Sequence, residues 1–183
     1  MINSGTYESE LRRLNSGPYE GEQVPGIGIV KFVVRCDGDS EEVLATAVSV
    51  LKVVCNAYSK GESESVDWRA SLANRFLSAC ADEKSAEEAE QWLQQWQALS
   101  EEQRNSDERS RAWSLNNWLY WFEPAHRLWH WWNARILDVD SIHVSIAVDD
   151  WPFGFGAISW LFRGSGAIDI AVIEHDSAAI TND

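Results

Sequence analysis

Four segments of the chain have the hydrophobic pattern of β-strands. IGIVKFVVR, at residues 27–35, is apolar on both alternating faces and rich in β-branched side chains, which is typical of a central strand. LWHWWNARIL and IHVSIAV alternate on either side of the turn DVDS and predict a β-hairpin. AIDIAVI, at residues 167–173, predicts the last strand.

Segments with helical periodicity separate these strands. A short helix is predicted over residues 6–14, and a longer one begins after CDGDSEE, where Asp39 and Glu42 have the spacing of a capping box. The longer helix is apolar around most of its circumference, so we expect helices from further along the chain to cover its back. A last short helix is predicted between Gly154 and Gly164.

Residues 62–122 predict a helical insertion before the hairpin. SVDWRASLANRFLSAC and SAEEAEQWLQQWQAL are each amphipathic at helical spacing, and Ser85 with Glu88 gives the second a capping box. A third helix is predicted from about Glu108 to Phe122 and ends before Pro124.

Without the insertion, the order of elements is βαββαβ. This order favours an α+β, ferredoxin-like fold, in which two helices cover one face of a four-stranded antiparallel sheet. A chain of 183 residues is long enough for one well-buried core. We therefore predict a single domain over residues 1–183, with residues 62–122 inserted in it.

The region from residue 113 to residue 132 contains six of the eleven tryptophans. Six side chains of roughly 200 Å² each exceed the apolar area that a soluble monomer usually exposes, so most of them must be buried. Strict alternation along the strand places Trp132 under the helices and Trp129 and Trp131 on the open face of the sheet. We therefore expect Trp131 to be accessible to a ligand or partner.

Acidic side chains outnumber basic ones by 29 to 15, which gives a formal net charge of −14. This charge opposes binding to nucleic acids or anionic membranes, because both gain affinity when Lys and Arg displace counterions. A basic protein is the more compatible partner. The chain has neither a hydrophobic leader nor a continuous apolar run of membrane-spanning length, so we expect a soluble cytoplasmic protein.

No catalytic or metal-binding signature stands out. Glu123, His126 and His130 have ligand-like spacing, but an extended chain would hold the two histidines about 13 Å apart. CDGDSEE lacks the ligand order of a calcium loop. The cysteines have no CxxC spacing and are expected to be buried thiols: Cys36, Cys55 and Cys80. We predict no catalytic residue, no cofactor and no metal.

Aspartates gather at two edges of the predicted sheet. At one edge the first strand ends and the hairpin turns, which brings together four carboxylates: Asp37, Asp39, Asp138 and Asp140. Asp149 and Asp150 emerge at the opposite edge, beside Trp151. Together with Trp131, these six aspartates are the residues that we predict to bind a partner. A plain solvated rim is the alternative that the sequence leaves open.

The stretch from Trp118 to Gly166, with WLYWFEPAHRLWHWW and VDDWPFGFGAISWLFRGSGA, resembles immunity proteins encoded beside bacterial polymorphic or contact-dependent growth inhibition toxins. The resemblance implies a small, acidic, cytosolic protein without catalytic activity that binds one cognate toxin domain, often a basic nuclease. Such families share no functional residues, so the resemblance assigns no role to any position of this chain.

Two other functions remain compatible with the sequence. A small enzyme or ligand-binding protein would use the open face of the sheet, with a pocket around Trp131 and His143 and with Asp169 as a partner of that histidine. A housekeeping interaction protein would need neither a pocket nor a toxin. The inhibitor hypothesis predicts a surface for a basic protein instead of a pocket.

Overall fold

The computed structural model describes residues 4–177, without the side chains of residues 4–5, 105–109 and 174–177. The helices are α1 Ser4–Ser16, α2 Ser40–Lys60, α3 Trp68–Ser71, α4 Asn74–Ala79, α5 Ala86–Ala98, α6 Glu101–Ser110, α7 Leu115–Tyr120 and α8 Gly156–Gly164. The strands are β1 Gly28–Arg35, β2 Trp129–Asp138, β3 Ser141–Val148 and β4 Asp169–Ser177.

The strands form one four-stranded sheet in the order β2-β3-β1-β4, and every neighbouring pair is antiparallel. One face of β1 is fully buried through Val30, Phe32 and Val34, and these residues belong to one hydrophobic core with side chains of α2 and α8. The prediction of an α+β fold with a four-stranded antiparallel sheet is therefore confirmed.

Helix α2 is the longest helix among the described residues, and it is packed on more than one side. It ends at Gly61, which has the left-handed conformation (φ 69°) that favours glycine. Helix α1 packs along it, and the rings of Tyr7 and Tyr58 stack at 5.4 Å. Helices from further along the chain were expected to cover α2, and α4 does contact it, but α1 packs against it more extensively.

The predicted capping box at the start of α2 does not form. Asp39 occupies the N-cap position, but its side chain accepts no capping hydrogen bond. Its carboxylate instead lies 2.5 Å from the guanidinium of Arg75, which also contacts Glu42 at 2.7 Å. A tertiary ion pair with α4 has thus replaced a local cap.

By length and composition alone, α2 could cross a membrane. This observation is weak evidence for a membrane span, because the apolar core helix of a globular domain passes the same test. Here Val43, Val50 and Val54 of α2 are fully buried in the core.

The insertion is more broken than its periodicity suggests. The first predicted helix divides into α3 and α4, and the helix predicted from Glu108 to Phe122 divides into α6 and α7. The break between α6 and α7 follows from a tertiary contact, in which the N–H of Ala81 donates to the carbonyl of Trp113 at 3.0 Å. The capping box of Ser85 and Glu88 is confirmed at the start of α5.

A β-bulge in β2 changes which tryptophans face the core. Trp131 pairs with Ile146, and the next paired residues are Asn133 and Ser145, so Trp132 is an extra residue in the strand. Because successive side chains of a strand point to opposite faces of the sheet, one extra residue moves every side chain before it to the face opposite the one that strict alternation predicts.

Trp129 and Trp131 consequently point into the core, and each is only 2% exposed. The ring of Trp131 stacks on Phe162 of α8, with centroids 6.4 Å apart. Trp132 is half-buried outside the core cluster, where the guanidinium of Arg13 lies 5.3 Å from its ring. The prediction that Trp131 lies on the open face is wrong, and a residue this buried offers no surface to a partner.

Candidate partner-binding surface

Hydrogen bonds join the turn after β1 to the turn of the β2–β3 hairpin. The N–H of Cys36 donates to the carbonyl of Asp140 at 2.7 Å, and that of Gly38 donates to the carboxylate of Asp140 at 2.9 Å. The hydroxyl of Ser40 donates to the carbonyl of Asp138 at 2.7 Å. These bonds bring four aspartates to one end of the sheet: Asp37, Asp39, Asp138 and Asp140.

The four carboxylates differ in their surroundings. Asp37, Asp138 and Asp140 are exposed, whereas Asp39 is half-buried against Arg75. The N–H of Asp140 donates to the carboxylate of Asp138 at 2.8 Å, and this bond lowers the pKa of Asp138 below its usual value. Backbone N–H groups therefore hold the carboxylates of Asp138 and Asp140 in place, while the carboxylate of Asp39 forms an ion pair with Arg75 of the same chain.

Exposed apolar side chains lie among these aspartates. Val139, at the tip of the hairpin, is 66% exposed, and Ile168, just before β4, is 63% exposed. The N–H of Ile168 donates to the carbonyl of Arg35 at 2.8 Å, which fixes it beside the turn after β1. We refer to the exposed residues at this end as the hairpin surface: Asp37, Leu137, Asp138, Val139, Asp140 and Ile168.

At the opposite end of the sheet, Asp149 and Asp150 have different roles. Both are exposed, but a carboxylate oxygen of Asp149 lies 3.1 Å from Nε2 of the buried His130. The carboxylate of Asp150 accepts from the N–H of Trp151 at 2.8 Å, and Trp151 is exposed beside it. The structure therefore separates these two aspartates from the four at the hairpin end, as predicted, and ties Asp149 to an internal group.

A buried ionic network links α1 to β2. The carboxylate of Glu10 lies 2.6 Å from the guanidinium of Arg127, and both side chains are fully buried. The same carboxylate oxygen accepts from the N–H of Trp131 at 2.6 Å, and Arg13 donates to the carbonyl of Trp131 at 2.8 Å. Two side chains of α1 thereby satisfy the backbone of the edge strand beside the bulge.

The network shifts the pKa values of its members. Burial alone would raise the pKa of Glu10, but the charges of Arg127 and His130 and the hydrogen bond from the N–H of Trp131 lower it below its usual value. Burial would lower the pKa of His130, but its hydrogen bond to Asp149 and the negative charge of Glu10 raise it. The second carboxylate oxygen of Glu10 and Nδ1 of His130 lie 3.9 Å apart, and neither has a hydrogen-bond partner among the described residues.

The sequence interpretation did not find this network. Glu10 lies one turn from Tyr7 and Leu14, which are both buried on the same face of α1, so its position in the helical period was the available signal. Arg127 gave no signal, because its partner is more than a hundred residues away in the chain. With both charges fully buried, the arrangement is suited to holding α1 in place rather than to meeting a substrate.

Around His143, the open face of the sheet has an open depression of about 340 Å³, lined by one alanine and five polar or basic residues: Lys31, Asn133, Ala134, Arg135, His143 and Ser145. No aromatic ring other than His143 lines it among the residues whose side chains the structure describes. Trp131 is absent from its lining because it faces the core. The pocket that the sequence predicted around Trp131 and His143 is therefore not formed by these two residues together.

A larger cleft lies between α5, α7 and the segment before α8, with a volume of about 580 Å³. Three tryptophans from different parts of the chain line it, namely Trp92, Trp113 and Trp121. We refer to it as the tryptophan cleft. The sequence interpretation identified these tryptophans but could not bring them together, because the breaks in the insertion were not predicted.

The remaining candidate chemistry does not assemble. Among residues whose side chains the structure describes, no group of three or more His, Cys, Asp or Glu residues is placed to hold a metal ion. The ring of His126 stacks on Tyr120 with centroids 3.9 Å apart, whereas the buried His130 contacts Asp149. Cys36 and Cys55 are buried free thiols and Cys80 is half-buried, which confirms the expectation for the first two.

Comparisons with family models, with curated proteins and with solved structures found no match to this chain. The functional conclusion therefore depends on the surfaces of the molecule itself.

Proposed function

We propose that this protein is an immunity protein, which binds a basic toxin domain of a bacterial polymorphic-toxin or contact-dependent growth inhibition system and neutralises it. The observation that supports this function best is the hairpin surface, where exposed apolar side chains lie among exposed aspartates. Protein–protein interfaces commonly combine apolar anchors with a charged rim. A nuclease-type toxin has a positive substrate groove, and an acidic protein is attracted to such a groove from a distance.

Each part of the hairpin surface has a distinct role in this proposal. Asp37, Asp138 and Asp140 attract the basic partner and accelerate association, because rim charges act mainly on the on-rate. Val139 and Ile168 are the anchors that become buried and slow dissociation. Asp150 provides a secondary contact at the other end of the sheet, whereas Asp39 and Asp149 pair with Arg75 and His130 of the protein itself.

Several further expectations belong to the same proposal. The strand order and the antiparallel pairing support a ferredoxin-like arrangement of the sheet, with residues 62–122 as its helical insertion. A cytoplasmic location, a binding function without catalysis or cofactor, and no contact with nucleic acid or membrane fit the net charge of −14.

Co-expression with the product of the adjacent upstream gene tests the proposal. We expect a stable complex on size-exclusion chromatography and survival of cells that otherwise die when the upstream product is expressed. The proposal would be contradicted if the adjacent gene encodes a basic domain that does not co-elute with this protein and is not neutralised by it.

Two charge-matched variants test the surface itself. In the first, Asp37→Lys, Asp138→Asn and Asp140→Asn raise the net charge by four while Asn keeps an oxygen for the local backbone bonds. In the control, Glu87→Lys and Glu90→Lys raise it equally on the exposed part of α5. We expect rescue to be lost in the first and kept in the second. Equal rescue by both would show that another surface binds the toxin.

A further inference from the structure

We propose that the tryptophan cleft is a second binding site, separate from the hairpin surface, and that its ligand is a small, flat aromatic anion. The cleft volume of about 580 Å³ lies within the usual range for sites that bind small molecules. The inference does not depend on the proposed immunity function, because the cleft and the hairpin surface share no residue.

The walls of the cleft are built by contacts elsewhere in the fold. The ring of Trp113 lies so close to Gly156 that a Cβ at this glycine would come within 2.8 Å of it. The carbonyl of Trp113 is fixed by the N–H of Ala81 at 3.0 Å. Arg163 of α8 donates to the carbonyl of Ser110 at 2.8 Å, which holds the segment leading into the cleft. This side of the cleft is therefore preformed, which lowers the entropic cost of binding.

Cationic side chains outnumber carboxylates in the lining of the cleft, whereas carboxylates outnumber cations in the chain as a whole. The guanidinium of Arg111 lies 4.3 Å from the ring centre of Trp92, and the ammonium of Lys84 lies 5.9 Å from it. The lining contains one carboxylate, that of Glu83, which accepts from the N–H of Asn116 at 2.9 Å. The lining itself thus contributes two cations and one carboxylate that is already hydrogen-bonded, in a chain whose net charge is −14.

These two properties define the class of ligand. Indole faces favour flat rings, because stacked aromatic pairs gain energy beyond the area that they bury. A carboxylate or sulfonate on such a ring would pair with Arg111 or Lys84, whereas an ammonium group would meet like charge. The polar side chains of Ser114 and Asn117, which also line the cleft, add hydrogen-bonding groups for the ligand.

A charge series on one ring system tests the proposal. We suggest isothermal titration calorimetry of the full chain with 2-naphthoate, with the neutral 2-naphthamide and with the cationic 2-naphthylmethylammonium. We expect 2-naphthoate to bind with a one-to-one stoichiometry and at least tenfold more tightly than the cation, with the amide between them. No binding of 2-naphthoate at millimolar concentration, or equal binding of the anion and the cation, would overturn the proposal.

Variants then locate the site. Trp92→Ala should weaken 2-naphthoate binding at least tenfold, and Lys84→Gln, at an exposed position, should reduce the preference for the anion over the cation about threefold without affecting folding. Trp151→Ala removes an exposed tryptophan outside the cleft and serves as the control, with unchanged binding. If Trp151→Ala weakens binding while Lys84→Gln and Trp92→Ala do not, the anion binds elsewhere and the assignment of the cleft is wrong.

Discussion

Helices α1 and α5 are both amphipathic in sequence, yet they lie in opposite environments. Helix α1 packs against β2, and we refer to this contact as the junction; α5 lies on the surface, and we refer to it as the arm. Glu10 of α1 is fully buried and holds the backbone of Trp131, whereas α5 has no buried residue at all. Helix α5 has the better local signals, including a complete capping box. The difference shows that caps and periodicity determine whether a helix forms, while tertiary partners determine whether it contributes to the core.

The strongest way to break the junction is to remove one member of its buried ion pair. Arg127→Met should lower the free energy of unfolding by about 3–5 kcal/mol, because it leaves the carboxylate of Glu10 buried without its counter-charge. Urea unfolding followed by circular dichroism measures this loss. The double variant Glu10→Leu with Arg127→Met should recover part of it. A double variant less stable than the single one would show that the charge is not the cause.

A matched pair of tryptophans compares the two regions directly. Trp131→Ala should destabilise the protein by about 3–5 kcal/mol, since it removes a buried aromatic side chain from the core. Trp92→Ala, on the arm, should cost less than about 1 kcal/mol, because this side chain is only partly buried. Thermal or urea unfolding of both variants provides the test. Equal losses would mean that the arm is part of the cooperative core.

The pH dependence of stability should come from the junction. The pKa of His130 is raised in the folded state. Its contribution to the free energy of unfolding is therefore complete below the usual histidine pKa of about 6.5, and it is lost as the pH rises through the folded pKa. The pKa of Glu10 is lowered, so its contribution is lost at acid pH. Stability should therefore be greatest in mildly acidic solution. His130→Gln should abolish the decline on the alkaline side, which urea unfolding at a series of pH values would reveal.

The smallest effect is expected at the cap of the arm. Ser85→Ala removes the hydroxyl that accepts from the N–H of Glu88 and should destabilise α5 locally by about 1 kcal/mol. Because α5 has no buried residue, the global free energy of unfolding should stay nearly constant. Hydrogen exchange of the α5 amides, compared with those of β1, distinguishes a local effect from a global one. Faster exchange in both would contradict the separation of the two regions.

Sequence reasoning succeeded where the signal was periodic or local. The strands, α1, α2, α8 and the cap of α5 follow from hydrophobic spacing and from single residues such as Ser85 and Gly164. The four aspartates at the hairpin end came together because the order of elements places the turn after β1 beside the hairpin turn.

It failed where one tertiary contact overrode a local pattern. At the bulge, the backbone of Trp131 is bonded to Glu10 and Arg13, which lie in a distant helix. Strict alternation of the strand cannot anticipate the extra residue. Asp39 had the spacing of a cap, but the distant Arg75 forms an ion pair with its carboxylate instead.

The junction also supports the proposed function, because it fixes the edge strand that leads to the hairpin surface. A binding surface on a rigid frame loses less conformational entropy on association. The arm, in contrast, contributes one wall of the tryptophan cleft, where a less buried element leaves room for a ligand.

The most direct test of the proposed function is the association rate with the cognate toxin domain, measured by stopped-flow fluorescence at a series of salt concentrations. For the variant with Asp37→Lys, Asp138→Asn and Asp140→Asn, we predict an association rate at least tenfold lower at low salt and a weaker salt dependence. The control with Glu87→Lys and Glu90→Lys should stay within about twofold of the unchanged protein. Equal slowing of both would mean that net charge alone, and not the hairpin surface, governs the encounter, and would contradict the account.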